Sequence, residues 1–217
     1  MTFHPRISLA LLLTLVTFLS ACQIDTPAVP SLSSQASPEQ PPHFPTPEYQ
    51  FGRNSYSEKG FALGRDLFYD PVLSADSTIS CASCHQQENG FADGGKAFSH
   101  GINGGITERH SPPLFNMYWS PNFMWDGGVT NLEVMPFAPL SNEKEMGSDM
   151  KTLIATLNNH PIYPKRFEEV FRTPFIDDTQ LLESILQFLS SNTEVESGRI
   201  WAGLTANEKQ EVLDAYS

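Results

Sequence analysis

Cys81-Ala82-Ser83-Cys84-His85 is the stretch that decides how this 217-residue chain folds. Two thiols separated by two residues, with an imidazole directly after, form the C-x-x-C-H pattern of covalent haem attachment. The thiols add to the two vinyl groups on one porphyrin edge, and the adjacent imidazole swings under the ring to meet the iron. Two other chemistries use paired cysteines. A thioredoxin-like redox pair sits ahead of a helix in a βαβ setting, which is absent here. Zinc requires two further Cys or His at close spacing, and no second pair is present. The expectation is therefore one covalent haem c on Cys81 and Cys84, with His85 as iron ligand.

Outward from that motif, helical patterning flanks a long irregular stretch. Phe61, Leu63, Leu67 and Phe68 share a broad apolar face in a helix that starts near Ser57 and stops at Asp70-Pro71. From Ser74 to Met146 periodicity is poor, and Gly, Pro, Asn and Ser are frequent. So long a loop region argues against a compact domain unless a large cofactor replaces side-chain core. Helices return at Ser148–Leu157 and at Pro164–Phe171, the latter with proline at its start. Asp177–Leu189 follows, opened by Asp177 and Gln180 in capping-box spacing. Another begins at Thr205-Ala206-Asn207-Glu208. The fold class implied is all-α, a loop-rich cytochrome-c-like haem domain with additional C-terminal helices and almost no strand.

The N-terminus has a different character. A polar start containing Arg6 precedes an apolar or hydroxylic run, Ile7–Leu19, shorter than the ~20 residues of a membrane span. It reads as the core of a secretion signal, residues 1–21. Leu19-Ser20-Ala21-Cys22 resembles the bacterial lipoprotein processing box, with Cys22 as the lipidated residue; an ordinary cut near Ala21 is the plainer alternative. Residues 22–50 are rich in Pro, Ser, Thr, Gln and Ala and read as a tether from the lipid to the folded part, residues 51–203. Gln23 lacks the aspartate character that retains some lipoproteins at the inner membrane, so an outer-membrane, periplasm-facing or cell-surface address is expected. The formal net charge of −12 is a poor match for nucleic acid and suits small basic partners, although solubility alone explains it equally well.

Further motifs surround the attachment pentapeptide. Leu63-Gly64-Arg65-Asp66-Leu67-Phe68 precedes it; Phe91-Ala92-Asp93, Phe98-Ser99-His100-Gly101, Arg109-His110-Ser111-Pro112, Asn116, Trp125-Asp126-Gly127 and Glu145-Met146 follow. Their order and spacing resemble the N-terminal haem domain of bacterial di-haem cytochrome c peroxidases over about Tyr56 to Phe171. The resemblance implies peroxide reduction to water, with electrons from a small donor such as a soluble cytochrome c. It implies His85 as proximal ligand, His100 as a distal ligand that leaves on activation, and Glu145 as the acid–base group of O–O cleavage. It places Pro139 in the distal pocket and Trp125 toward a second haem.

Departures from the pattern are equally specific. Met135 stands where the family has a distal glutamine, Arg109-His110 replaces an Arg-Asn pair linked to calcium, and Gly128 replaces a common arginine. Residues 204–217 resemble the start of a second haem domain, so a second-haem domain elsewhere or a dimer partner is expected to complete the electron supply. Phe188 and Trp201 are the expected exposed apolar residues of the face left unpaired. The alternatives to a peroxidase are a mono-haem electron-transfer lipoprotein, ligated by His85 with His100 or Met135, and an inactive fragment.

Overall fold

Ser57 starts the first helix, α1 (Glu58–Tyr69), in the computed structural model, which describes residues 44–49 and 54–190. Its backbone is extended, and its hydroxyl accepts from Gly60 N–H at 3.0 Å, satisfying one of the donors a helix start leaves unpaired. Asp70 ends α1, and its carboxylate accepts from Val72 N–H at 2.8 Å to open a short 3-10 turn, Pro71–Leu73. Both limits match the expectation from sequence. Leu63, Leu67 and Phe68, at helical spacing, form the buried face.

Three further helices also follow the sequence pattern. A short one, α2 (Phe137–Ser141), was not expected. Then come α3 (Met150–Asn158), α4 (Tyr163–Phe171) and α5 (Asp178–Ser190). Asp177 caps α5 by accepting from Gln180 N–H at 2.8 Å. Asn158, at the end of α3, bonds Ile176 through both side-chain atoms, donating to its C=O at 2.9 Å and accepting from its N–H at 3.0 Å. That clamp holds the approach to α5 against α3. Between residues 74 and 136 the described chain runs as loops and 3-10 turns. No strand forms among the described residues, only three isolated antiparallel bridges. The helical, cytochrome-like expectation holds.

The principal packing is α1 against α5. At Gly64 a Cβ atom would lie 1.9 Å from the Ser184 carbonyl oxygen, so only glycine permits the approach. A turn earlier, Gly60 faces Gln187, which is 1% exposed. Gln187 is fully engaged: its amide oxygen accepts from Ser57 N–H at 3.0 Å, and its nitrogen donates to Asn54 at 2.8 Å. Asn54 in turn donates to the Glu183 carbonyl at 3.0 Å. Buried amides held this completely tie the chain ahead of α1 to α5.

Phe188 corrects one expectation. It is 4% exposed, with its ring 5.0 Å from Phe68 and 6.1 Å from Phe91, and it belongs to the core. Residues 44–49 shorten the free part of the expected tether. Trp119 donates to the Pro45 carbonyl at 2.8 Å, Tyr49 N–H donates to the Tyr118 carbonyl at 3.0 Å, and the Tyr49 hydroxyl donates to Glu133 at 2.7 Å. Cys22, the signal segment, Trp201 and residues 204–217 lie outside the described residues. No helix among the described residues is long and apolar enough to cross a membrane.

The glycine contacts predict an ordering of stability. Ala in a helix gains about 1 kcal/mol over Gly, while overpacking costs about 1–3 kcal/mol. Gly64→Ala meets rigid backbone and lowers the denaturant midpoint of the protein, whereas Gly60→Ala meets a side chain and lowers it less. Equal midpoints for wild type and Gly64→Ala contradict the packing described.

Candidate functional site

The attachment pentapeptide folds as a single tight turn. Cys81–Ser83 is a 3-10 turn in which His85 N–H donates to the Cys81 carbonyl at 2.9 Å. Ser83 closes it from the side, its hydroxyl accepting from Ser80 N–H at 3.0 Å. This geometry puts Cys81, Cys84 and His85 into the lining of one cavity of about 540 Å³, inside the roughly 300–1,000 Å³ range of small-molecule sites. Phe68, Leu114, Leu140, Ile185 and Leu189 supply apolar lining. Two of these five come from α5, so the α1–α5 packing also builds the cavity.

The three motif side chains have the chemistry a covalent haem requires. His85 Nδ1 lies 2.8 Å from the Phe91 carbonyl oxygen. A carbonyl can only accept, so Nδ1 carries the proton and Nε2 keeps its lone pair for a metal. Burial lowers the imidazole pKa, opposed by the carbonyls of Phe91 and Pro112 and by Asp93, which favours this neutral form. Burial pushes the Cys81 thiol up to about 12 and raises Cys84 as well. Reactive redox cysteines are shifted the other way, so the pair does not resemble a thioredoxin centre. Both thiols are free of disulfides. Among the described residues no group of three or more His, Cys, Asp or Glu side chains could hold a metal ion, so a zinc site on protein ligands alone is not formed there. The lining fits a haem held by two thioethers and an imidazole.

Other sequence-predicted residues reach the same cavity. Glu145, Met135, Pro139, Arg109 and Trp125 all line it. Met135 is buried, whereas Trp125 is 59% exposed and donates through its indole N–H to the His110 carbonyl at 2.6 Å. Arg109 is exposed and paired with Asp126 at 3.1 Å. His100 is exposed and is not among the lining residues, although its neighbour Gly101 is. Its backbone carbonyl instead accepts from the Cys84 thiol at 3.8 Å.

Glu145 is half-buried, and burial raises its pKa above the ordinary glutamate value; a hydrogen bond from Asn142 works against that rise. Asn142 Nδ2 donates to Glu145 Oε1 at 2.9 Å, and its own oxygen accepts from Lys144 N–H at 3.0 Å. Ile102 N–H donates to the Glu145 carbonyl at 2.9 Å. A Cβ on Gly101 would lie 2.0 Å from the Lys144 carbonyl oxygen, so the His100–Gly101 loop rests directly on the Glu145 segment. Sequence reasoning missed Asn142 as the partner that positions Glu145; its only signal was an amide three residues ahead of the acid. It also assigned no role to Asp93, which is 1% exposed and paired with Lys96 at 3.2 Å near His85.

Comparison with known proteins bears on the whole arrangement. Residues 58–199 match the family model of the di-haem cytochrome c peroxidases. The chain is 37% identical over 128 residues to a cytochrome c peroxidase of Escherichia coli, covering 58% of this chain and 27% of that protein. It is 32% identical over 120 residues to methylamine utilization protein MauG of Methylorubrum extorquens, covering 54% of this chain and 33% of that protein. The match thus spans between about a quarter and a third of the length of these curated relatives. The crystal structure of a MauG-like protein associated with microbial copper homeostasis is similar with a TM-score of 0.65 at 29% identity, over 79% of this chain and 52% of that one. The diheme peroxidase BthA from Burkholderia thailandensis matches with a TM-score of 0.53 at 22% identity, over 63% of this chain and 39% of that one, a likeness of fold. Since the family match runs through the attachment turn, the cavity residues and most of the helices, this chain belongs to the di-haem cytochrome c peroxidase family, which binds c-type haem.

Proposed function

We propose that this chain binds one haem c through Cys81 and Cys84, with His85 on the iron, and reduces hydrogen peroxide to water. Electrons come from a small protein such as a soluble cytochrome c. The observation that carries the reading is Glu145, a carboxylate with a raised pKa in the same cavity as the attachment turn. The haem, when bound, supplies the iron centre at which the O–O bond of peroxide is cleaved.

The chain's own residues supply the rest. His85, with Nδ1 committed to the Phe91 carbonyl, offers Nε2 and holds its orientation. Phe68, Leu114, Leu140, Ile185 and Leu189 give the cavity an apolar wall, and a charge beside such a wall interacts more strongly than one in bulk water. Glu145 takes a proton from the inner peroxide oxygen and returns it to the outer oxygen, which leaves as water. A carboxyl whose pKa is shifted toward the working pH both accepts and releases that proton more readily. The acidic chain, at a formal −12, attracts a basic electron donor. The protein works outside the cytoplasm on a lipid at Cys22, at the outer membrane, a reading supported by Leu19-Ser20-Ala21-Cys22 after the apolar run.

Glu145→Gln is expected to lower peroxide-dependent oxidation of a reduced small cytochrome by about 100-fold, with haem content unchanged. An undiminished rate removes Glu145 from the chemistry. The working form is the carboxylate, so the rate falls as pH drops through the Glu145 pKa, at a midpoint above that of an ordinary glutamate. Asn142→Ala removes the hydrogen bond that stabilises the carboxylate and moves that midpoint higher still, read from the pH profile of the same assay. A midpoint that stays put or falls contradicts the role given to Asn142.

A further inference from the structure

Among the described residues Asp93 is the only carboxylate in the buried interior. A buried charge is costly unless it is paired and hydrogen-bonded. Lys96 reaches Asp93 at 3.2 Å, but the lysine side chain is 45% exposed while that of Asp93 is 1% exposed. The pair is therefore lopsided, with its negative end inside the fold and its positive end in water. Gln86, the residue directly after His85, donates to Asp93 through Nε2 at 3.4 Å. Gln86 N–H also donates to the Ala92 carbonyl at 3.1 Å, closing the loop that presents the Phe91 carbonyl to His85 Nδ1. Asp93 thus braces, from within the fold, the loop that orients the imidazole. On the other side, His110 Nδ1 lies 2.9 Å from the Lys96 carbonyl oxygen and holds residue 96 in place.

We propose that Asp93 is a positioning residue that acts through His85 and lowers the reduction potential of the haem iron, an inference that rests on the proposed attachment of haem at this turn. Reduction adds one electron, so the ferric site carries one more positive charge than the ferrous site. A fixed negative charge on the His85 side stabilises the ferric form more. Lys96 does not cancel it, because water screens the exposed ammonium and not the buried carboxylate. The same field acts on the imidazole, where the Asp93 charge favours the protonated ring against the effect of burial. An iron biased in this way gives electrons to peroxide more readily and takes them from a donor less readily. Asp93 and Lys96 then act with opposite signs, although they form one ion pair.

That opposition separates an electrostatic role from bracing alone. Haem-loaded wild type, Asp93→Asn and Lys96→Gln are titrated in a spectroelectrochemical cell at one pH and one salt concentration. At the wild-type midpoint, Asp93→Asn is expected to raise the ferrous-to-ferric ratio by about tenfold, an upward shift of about 59 mV for one electron. Lys96→Gln leaves the buried carboxylate unpaired and is expected to lower the same ratio, by less than tenfold because the ammonium is screened. Shifts of the same sign in both variants, or no shift in either, overturn the inference. If Asp93→Asn does not fold or hold haem, the exposed Lys96→Gln decides alone: a lower midpoint supports the charge effect, and an unchanged or higher one refutes it. Wild type that holds covalent haem but shows no such shifts removes the role of Asp93 and leaves the haem reading standing. Wild type without haem on Cys81 and Cys84 removes both.

Discussion

At Gly64 the backbone of α1 passes so close to Ser184 of α5 that no side chain fits between them. The position of nearly everything around the attachment turn depends on that approach. It sets Phe68 and Phe188 ring to ring at 5.0 Å and brings Phe68 to 6.5 Å from the His85 ring. It also delivers Ile185 and Leu189 to the cavity lining. The buried amides of Asn54 and Gln187 fix the same crossing from its other side. Such amides are costly when unpaired and well-defined when paired, so they select one register of the two helices.

A second set of contacts fixes the acid. The loop after the attachment turn lies on the Lys144–Glu145 backbone at Gly101, and Ile102 N–H holds the Glu145 carbonyl. Asn142 then orients the carboxyl group itself. The turn at Cys81–His85 and Glu145, sixty positions beyond His85 in sequence, are thereby neighbours through one short loop. Charges at the cavity lining are paired off, Arg109 with Asp126 and Lys144 with Glu108, while the Glu145 carboxylate accepts from a neutral amide, its one hydrogen-bond partner among the described residues. A lone carboxylate in an apolar setting is what raises its pKa.

Local signals in the sequence were readable because their physics is local. Ser57 and Asp70-Pro71 bracket α1, Asp177 and Gln180 open α5, and the pentapeptide sets its own turn. What escaped depends on partners distant along the chain. Phe188 looks like spare apolar surface until Phe68 and Phe91 close around it. The helix α2 was hidden by Pro136 and Pro139, which suggest a loop, although proline is tolerated at or before the first turn. Residues 44–49 share the composition of a tether, yet Trp119, Tyr118 and Glu133 hold them against the domain. Glu145 was found through a family pattern, whereas Asn142 emerges only once the turn that carries both has folded.

In the proposed function, the turn at Cys81, Cys84 and His85 carries a haem joined to the chain by two thioether bonds. Intact mass of protein denatured in acid, followed by mass analysis of its proteolytic peptides, tests this directly. An added mass of one haem is expected to survive denaturation and to reside on the peptide containing Cys81 and Cys84. A protein matured with haem available that yields that peptide unmodified, with haem extractable into organic solvent, would contradict it.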